Sequence, residues 1–305
     1  MAPAAGHGRS TVAVGYDGSE ASQQAVRWAA EYAATLQAPI RVIHAWVWPV
    51  FTKKLGPVKG VEGSGLRHSA ETLLAEGVEL ARQSYHPPAG LLPGTDGGPD
   101  AADAGGAPDA ADVDGVMEAG LPAQVLRGAS RDARLLVIGS RGIGGVLGQL
   151  AGSVCLDLAG SSPCPVLVIR RPRNTGNPVA AGVDATPRSE AVLAGAARLA
   201  TALGTTLQLV HVDQSRGGDH EDHGRHAPLR GQELLDTALA EARKLAPELT
   251  VSAILVKGHA ASKELLAAAS DAHTLVIGTH NREGGPGNTV SAVLHKARCN
   301  VLITR

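Results

Sequence analysis

LLVIGSRGIGGVLGQLAGSVCLDLAGSSPCPVLVIR, residues 135–170, decides the fold. An apolar run, Leu135 to Ile138, enters a glycine-rich loop at Gly139, and that loop also carries Gly142, Gly144, Gly145 and Gly148. Gly152-Ser153 opens an apolar helical pattern through Val154, Leu156 and Leu158, and the run Val166 to Ile169 closes the unit. Strand, glycine loop, helix start and strand together build an anion site. Glycines let backbone N–H groups approach phosphate oxygens, and the helix N-terminus adds its partial positive charge. The bland alternative is a tight turn that uses glycine only for packing.

No Gly-x-x-x-x-Gly-Lys-Ser/Thr occurs, so this is not a Walker loop. Gly142, Gly144 and Gly148 do not fit Gly-x-Gly-x-x-Gly, and a Rossmann fingerprint follows the first strand of its unit rather than a late one. The spacing that fits is Gly139, Gly142, nine residues, then Gly152-Ser153. It resembles the ATP-binding signature of the universal stress protein family.

A chain of 305 residues suggests two domains, at about 150 residues each. Lys and Arg (28) nearly balance Asp and Glu (29), which counts against nucleic acid as a partner. The start, MAPAAGHGRS, lacks the apolar stretch of a secretory signal. No apolar run approaches the roughly 20 residues of a membrane span. Three cysteines, Cys155, Cys164 and Cys299, are too few for a disulfide frame. A reduced, cytoplasmic setting with no membrane partner is expected.

In chain order, Thr11 to Tyr16 reads as a strand running into Asp17-Gly18-Ser19, with Ser19 a helix N-cap. Ala21, Ala25, Trp28, Ala29, Tyr32 and Leu36 then recur at helical spacing, and Ile40 to Trp46 is a second strand. Asp17 thus sits at the carboxyl end of the first strand, where open parallel sheets bind ligands. Capping of the turn is its other, compatible role. Leu66 to Ala81 marks a second helix. Residues 86–114 are rich in Pro, Gly, Ala and Asp, carry no Lys or Arg and show no apolar period. They read as a disordered, acidic insertion, which costs little closure entropy. Val113 to Ala119 can form a third strand, overlapping the end of that segment. Ala123 to Ala129 is a short helix with Pro122 at its first turn. Alternation of this kind means a parallel sheet with helices on both faces.

After a polar linker, residues 172–177, the pattern restarts. Val179 to Val183 and Asp184 echo Val12 to Tyr16 and Asp17; His211 echoes His44; Leu275 to Gly278 repeats Leu136 to Gly139; and Cys299 to Ile303 repeats Cys164 to Val168. This is a duplication with a period of about 140 residues, suited to tandem domains spanning 1–171 and 178–305. It is unfaithful at the loop. Gly278 lies 139 residues after Gly139, but Cys299 lies 135 after Cys164, and Asn281 and Asn288 stand where Gly142 and Ser153 stood. The second loop is therefore degenerate.

Over nearly its whole length the chain resembles a tandem universal stress protein of the two-domain bacterial kind. The resemblance implies two five-stranded parallel sheets of order 3-2-1-4-5, with ATP, accompanied by Mg2+, held where strands 1 and 4 diverge. It implies that Asp17 contacts the adenosine end and that Ala45, after the second strand, offers backbone near adenine. Gly139 and Gly142 shape the loop around ribose and phosphate. Gly152, Ser153 and Val154 bind phosphate, and Arg141 can reach it. Only Asp184, Gly278 and Gly287 match in the second half. The function so implied is regulatory ATP binding in a stress response, with further protein partners unnamed. The exposed edge of Asn300 to Thr304 can pair with Val166 to Ile169, burying both edges, so the second half is expected to act as a built-in dimerisation partner. A homodimer of the whole chain is also open.

Other constellations are weaker. His220, His223 and His226 have metal-compatible spacing but read as a solvated loop. Cys164 and Cys299 precede strands and read as structural thiols. His44 and His211, at repeat-equivalent positions, read as packing residues. No nucleophile–base motif is visible, so binding is favoured over turnover. A slow ATPase and a nucleotide-independent interaction protein are the alternatives.

Overall fold

A computed structural model describes residues 11–46, 64–86, 113–142, 151–174, 176–214, 230–279 and 285–305. The first half runs β1 (Thr11–Gly15), α1 (Glu20–Thr35), β2 (Ile40–Trp46), α2 (Ser64–Ser84), β3 (Val113–Ala119), α3 (Pro122–Ala129), β4 (Ala133–Gly139), α4 (Ser153–Ser161) and β5 (Val166–Ile169). The second half repeats it as β6 (Val179–Val183), α5 (Arg188–Leu203), β7 (Leu207–Asp213), α6 (Gly231–Leu245), β8 (Val251–Lys257), α7 (Ala261–Ala268), β9 (Thr274–Gly278), α8 (Asn288–Lys296) and β10 (Asn300–Thr304). β2 and β3 have the bounds read from the sequence, and two expectations that overlapped them give way. Val113 and Asp114 are the first residues of β3, paired with Ile40 and Arg41, so they belong to the sheet and not to the acidic insertion. Ala45 lies within β2, opposite Glu118, rather than after it. The rest of the insertion except His86, the histidines at 220, 223 and 226, Asn281, and Gly144, Gly145 and Gly148 fall outside the described residues.

The strands form one ten-stranded sheet, β3-β2-β1-β4-β5-β10-β9-β6-β7-β8. Each half is an all-parallel sheet of order 3-2-1-4-5, as expected for a chain that alternates strand and helix. Central strands such as β1, β4 and β5 are buried runs of Val, Ile, Leu and Ala because helices cover both faces. Alternation along each strand divides the core in two. Val12, Val14 and Val137 pack under α1 and α2, while Ala13, Leu136 and Ile138 pack under α3 and α4. The second half divides in the same way. Ser19 caps α1 by accepting from the Ser22 amide, and Gly204 ends α5 in the left-handed conformation, φ 64°.

The halves meet where β5 and β10 pair antiparallel, Val168 with Val301 and Val166 with Ile303. The pairing removes an open edge from each half. Around it the contacts are specific. Asn300 Oδ1 accepts from the Arg170 and Arg171 amides at 2.7 and 3.0 Å. Arg170 donates to the Leu294 carbonyl at the end of α8, and Arg305 donates to Leu158 and Ala159 in the last turns of α4. Each guanidinium thus meets the negative end of a helix dipole in the other half. Trp28 of α1, 1% exposed, stacks on Tyr32 and on His273 of the second half. No described helix is long and apolar enough to cross a membrane.

Candidate functional site

β1 has β2 on one side and β4 on the other, and the chain's direction of travel across the sheet reverses there. Such a point leaves a crevice beyond the carboxyl ends of the strands. Asp17, Gly142 and the start of α4 gather at this edge. Asp17 follows β1, and its Oδ1 accepts from the Ser19 amide at 3.1 Å and the Ser19 hydroxyl at 2.6 Å. The Ser22 hydroxyl accepts from the Asp17 amide at 3.3 Å. Capping of the turn therefore uses Oδ1, while Oδ2 faces the loop, where a Cβ on Gly142 would stand 2.5 Å from it.

His44 ties the ends of β1 and β2 together. Its Nδ1 lies 2.9 Å from the Tyr16 carbonyl, which can only accept, so Nδ1 carries the proton. His211 repeats this on Val183, also at 2.9 Å. The packing role expected for both is thus joined by a directional bond that locates the residue before each aspartate. Nothing in the spacing signalled it. Tyr16 in turn donates to Glu76 of α2 at 2.8 Å, and burial, ahead of that bond and the Glu76 charge, pushes its phenol pKa up.

The loop is pinched at its base. The Gly152 amide donates to the Ser140 carbonyl at 3.0 Å, and the Ser140 amide to Ile169. Gly139 has a packing reason of its own. A Cβ there would stand 2.6 Å from the carbonyl carbon and oxygen of Ala21, so only glycine lets β4 pass the first turn of α1. Beneath the pinch, Cys155 Sγ contacts the Gly139 and Ser140 carbonyls, and burial raises its thiol pKa to about 11, which makes it inert. Cys164 and Cys299 are also buried, with thiols raised by burial.

Gly152 is the N-cap of α4 and supplies no side-chain bond. Ser153 and Val154 open α4, so their amides have no acceptor within the helix and are suited to an anion. Ser153 is exposed, while Val154 is half-buried against the core beneath α4. Ala45 is half-buried against the same core. Arg141 is exposed, and its carbonyl accepts from Ser19 at 3.4 Å. Arg141 also lines a cleft beside α1.

The second half keeps the aspartate turn but alters the rest. Asp184 Oδ1 accepts from the Thr186 amide at 2.9 Å and from the Thr186 hydroxyl. Gly278 is packed less tightly than Gly139, its nearest neighbours being the Arg188 and Val192 side chains at 3.3 Å. Gly287 caps α8 at φ 77°, and Asn288 replaces the serine. Among the described residues, no group of three His, Cys, Asp or Glu is placed to hold a metal.

The sequence model of the universal stress protein family matches residues 8–170 and 177–305, so the chain belongs to this family, in tandem. A universal stress protein of Mycobacterium tuberculosis (strain ATCC 25618 / H37Rv) is 29% identical, over 96% of each chain. A universal stress protein crystal structure from Archaeoglobus fulgidus DSM 4304 superposes with a TM-score of 0.67, at 18% identity over 96% of this chain and 97% of its own. A universal stress protein from Archaeoglobus fulgidus solved in complex with dAMP also matches, at TM-score 0.34 and 24% identity, over 42% of this chain and 98% of its own.

Proposed function

We propose that this universal stress protein family member is an ATP-binding regulatory protein whose first half carries the nucleotide. The observation that carries the reading is the meeting of the Asp17 carboxylate, side-chain-free Gly142 and the uncapped start of α4 at one switch point. Asp17 is suited to accept hydrogen bonds from the adenosine end, and Ala45 offers backbone beside the base. The amides of Ser153 and Val154 and the Ser153 hydroxyl are suited to phosphate oxygens. Among the candidate residues the only carboxylate is Asp17, so Mg2+ would be held mainly by the phosphates and water.

The second half serves as a built-in dimer partner. Its shorter loop, looser Gly278 and missing serine disfavour phosphate, while β10 pairs with β5. Losing two or three phosphate contacts at about 0.5–1.5 kcal/mol each weakens affinity by roughly 10- to 1,000-fold. Equilibrium dialysis of ATP against the full chain tests the reading. A stoichiometry near one, abolished by Gly142→Val, is expected. A value near two, or binding that survives Gly142→Val but is lost on mutating Gly287, overturns it.

A further inference from the structure

A cleft of about 520 Å³ opens between the first turns of α1 and the segment that leaves β5. It borders the nucleotide loop at Ser140 and Arg141, but Asp17, Gly142 and Ser153 do not line it. Arg27 from α1, Arg141 after β4, and Arg170 and Arg173 after β5 line its walls, with the last two guanidinium groups already donating to Leu294 and to Glu31, Thr35 and Ala202. Glu20 and Glu31 are the two carboxylates there, so the lining is cationic. Arg27 and Arg141 are exposed, and neither enters an ion pair among the described residues. Arg173 is fixed in place by the Glu31 and Ala202 carbonyls and the Thr35 hydroxyl. Burial, with a lesser repulsion from Arg141, lowers the Arg170 pKa.

Trp28 supplies an independent observation. It lines the cleft, it is 1% exposed, and its indole N–H has no partner among the described residues. A buried donor left unmade is costly; the nitrogen is closed to solvent here, so a ligand oxygen reaches it only if the cleft wall shifts. The fold does not require this arrangement. The bonds Asp17 to Ser22 and Asp184 to Ser189 set the register between α1 and α5. In that register Ala194, Gly195 and Arg198 stand where the first half has Arg27, Trp28 and Glu31.

We propose that this cleft is a second anion site that binds a diphosphate group independently of the nucleotide loop. Guanidinium forks match phosphate oxygens in pairs, and the volume suits a small ligand. Because the site lies outside the crevice of Asp17, it stands whether or not ATP binds there.

Calorimetric titration of inorganic pyrophosphate into the nucleotide-free full chain tests it. One site per chain is expected. Arg27→Glu should weaken it at least about tenfold without changing the melting temperature, since Arg27 is exposed. Arg27→Gln should give a smaller loss and serves as the test if the Glu variant fails to fold. Gly142→Val should leave pyrophosphate binding intact. The proposal is overturned by no binding at millimolar pyrophosphate, by affinity unchanged in both Arg27 variants, or by loss of binding in Gly142→Val. Displacement of pyrophosphate by saturating ATP also overturns it, because the cleft would then only receive the nucleotide's own phosphate tail.

Discussion

Oδ2 of Asp17 occupies the space that a side chain on Gly142 would need, 2.5 Å from the Cβ position. Any substitution at 142 must displace either the carboxylate or the loop. Gly142 itself is exposed, so the damage should fall on binding rather than folding. Gly142→Val is expected to cost more than about 2 kcal/mol of ATP affinity, and Ser153→Ala about 1–2 kcal/mol, the scale of one charge-assisted bond. Isothermal calorimetry on both variants decides the matter. A Gly142→Val protein that binds ATP like the parent would sink the site assignment.

Gly139 and Gly278 occupy equivalent positions with unequal room. Gly139→Ala puts a methyl onto the Ala21 backbone and should cost about 2–3 kcal/mol of stability. Gly278→Ala meets only side chains at 3.3 Å and should cost under about 1 kcal/mol. Urea unfolding of the two variants side by side is the measurement. Equal costs would mean that the first turn of α1 yields to the added methyl.

Asn300→Ala removes the one oxygen that receives both the Arg170 and Arg171 amides. Two part-buried donors lose their acceptor, at about 1–3 kcal/mol each before water compensates. We expect a net loss of about 2 kcal/mol with ATP binding retained. A variant as stable as the parent would show that β5 is held by the strand ladder alone.

His273 makes stability depend on pH. Burial first, then the Arg173 charge, lowers its pKa from 6.5 to about 4. The unfolded chain therefore takes up this proton near pH 6.5 and the folded chain only near 4. Stability is complete above the unfolded value and falls as pH drops through that window. With allowance for solvent screening the loss is about 1–2 kcal/mol. His273→Leu should flatten the difference between melts at pH 7 and pH 4.5. An unchanged slope would assign the acid sensitivity to other groups.

Much of the architecture was legible because it repeats. Two copies of strand, aspartate turn, helix and strand gave the domain count, and the glycine spacing pointed to the edge where Asp17 and Gly142 meet. The strands Ile40–Trp46 and Val113–Ala119 were legible to the residue, while the end of the insertion and the setting of Ala45 were misjudged at strand ends, where composition does not change sharply. The side-chain contacts that join the halves were hidden for a different reason. Asn300 holding Arg170, Arg305 reaching Leu158 and Trp28 lying on His273 are single contacts between residues far apart in sequence. They leave no periodic trace. Gly139 was read as a ligand-loop glycine, and its clash with Ala21 emerges only once α1 is packed on β4.

The antiparallel join of β5 and β10 gives the molecule two poles. Strands of one half point up where those of the other point down, so Asp17 and Asp184 lie on opposite rims of the sheet. From β1 to β6 there are five strand spacings, roughly 24 Å at about 4.8 Å each. A protein that grips the loops of the first half therefore looks at the strand starts of the second. No flat partner can read both aspartates at once. Any signal carried by occupancy leaves from one pole, and the opposite rim is free to be held by something else.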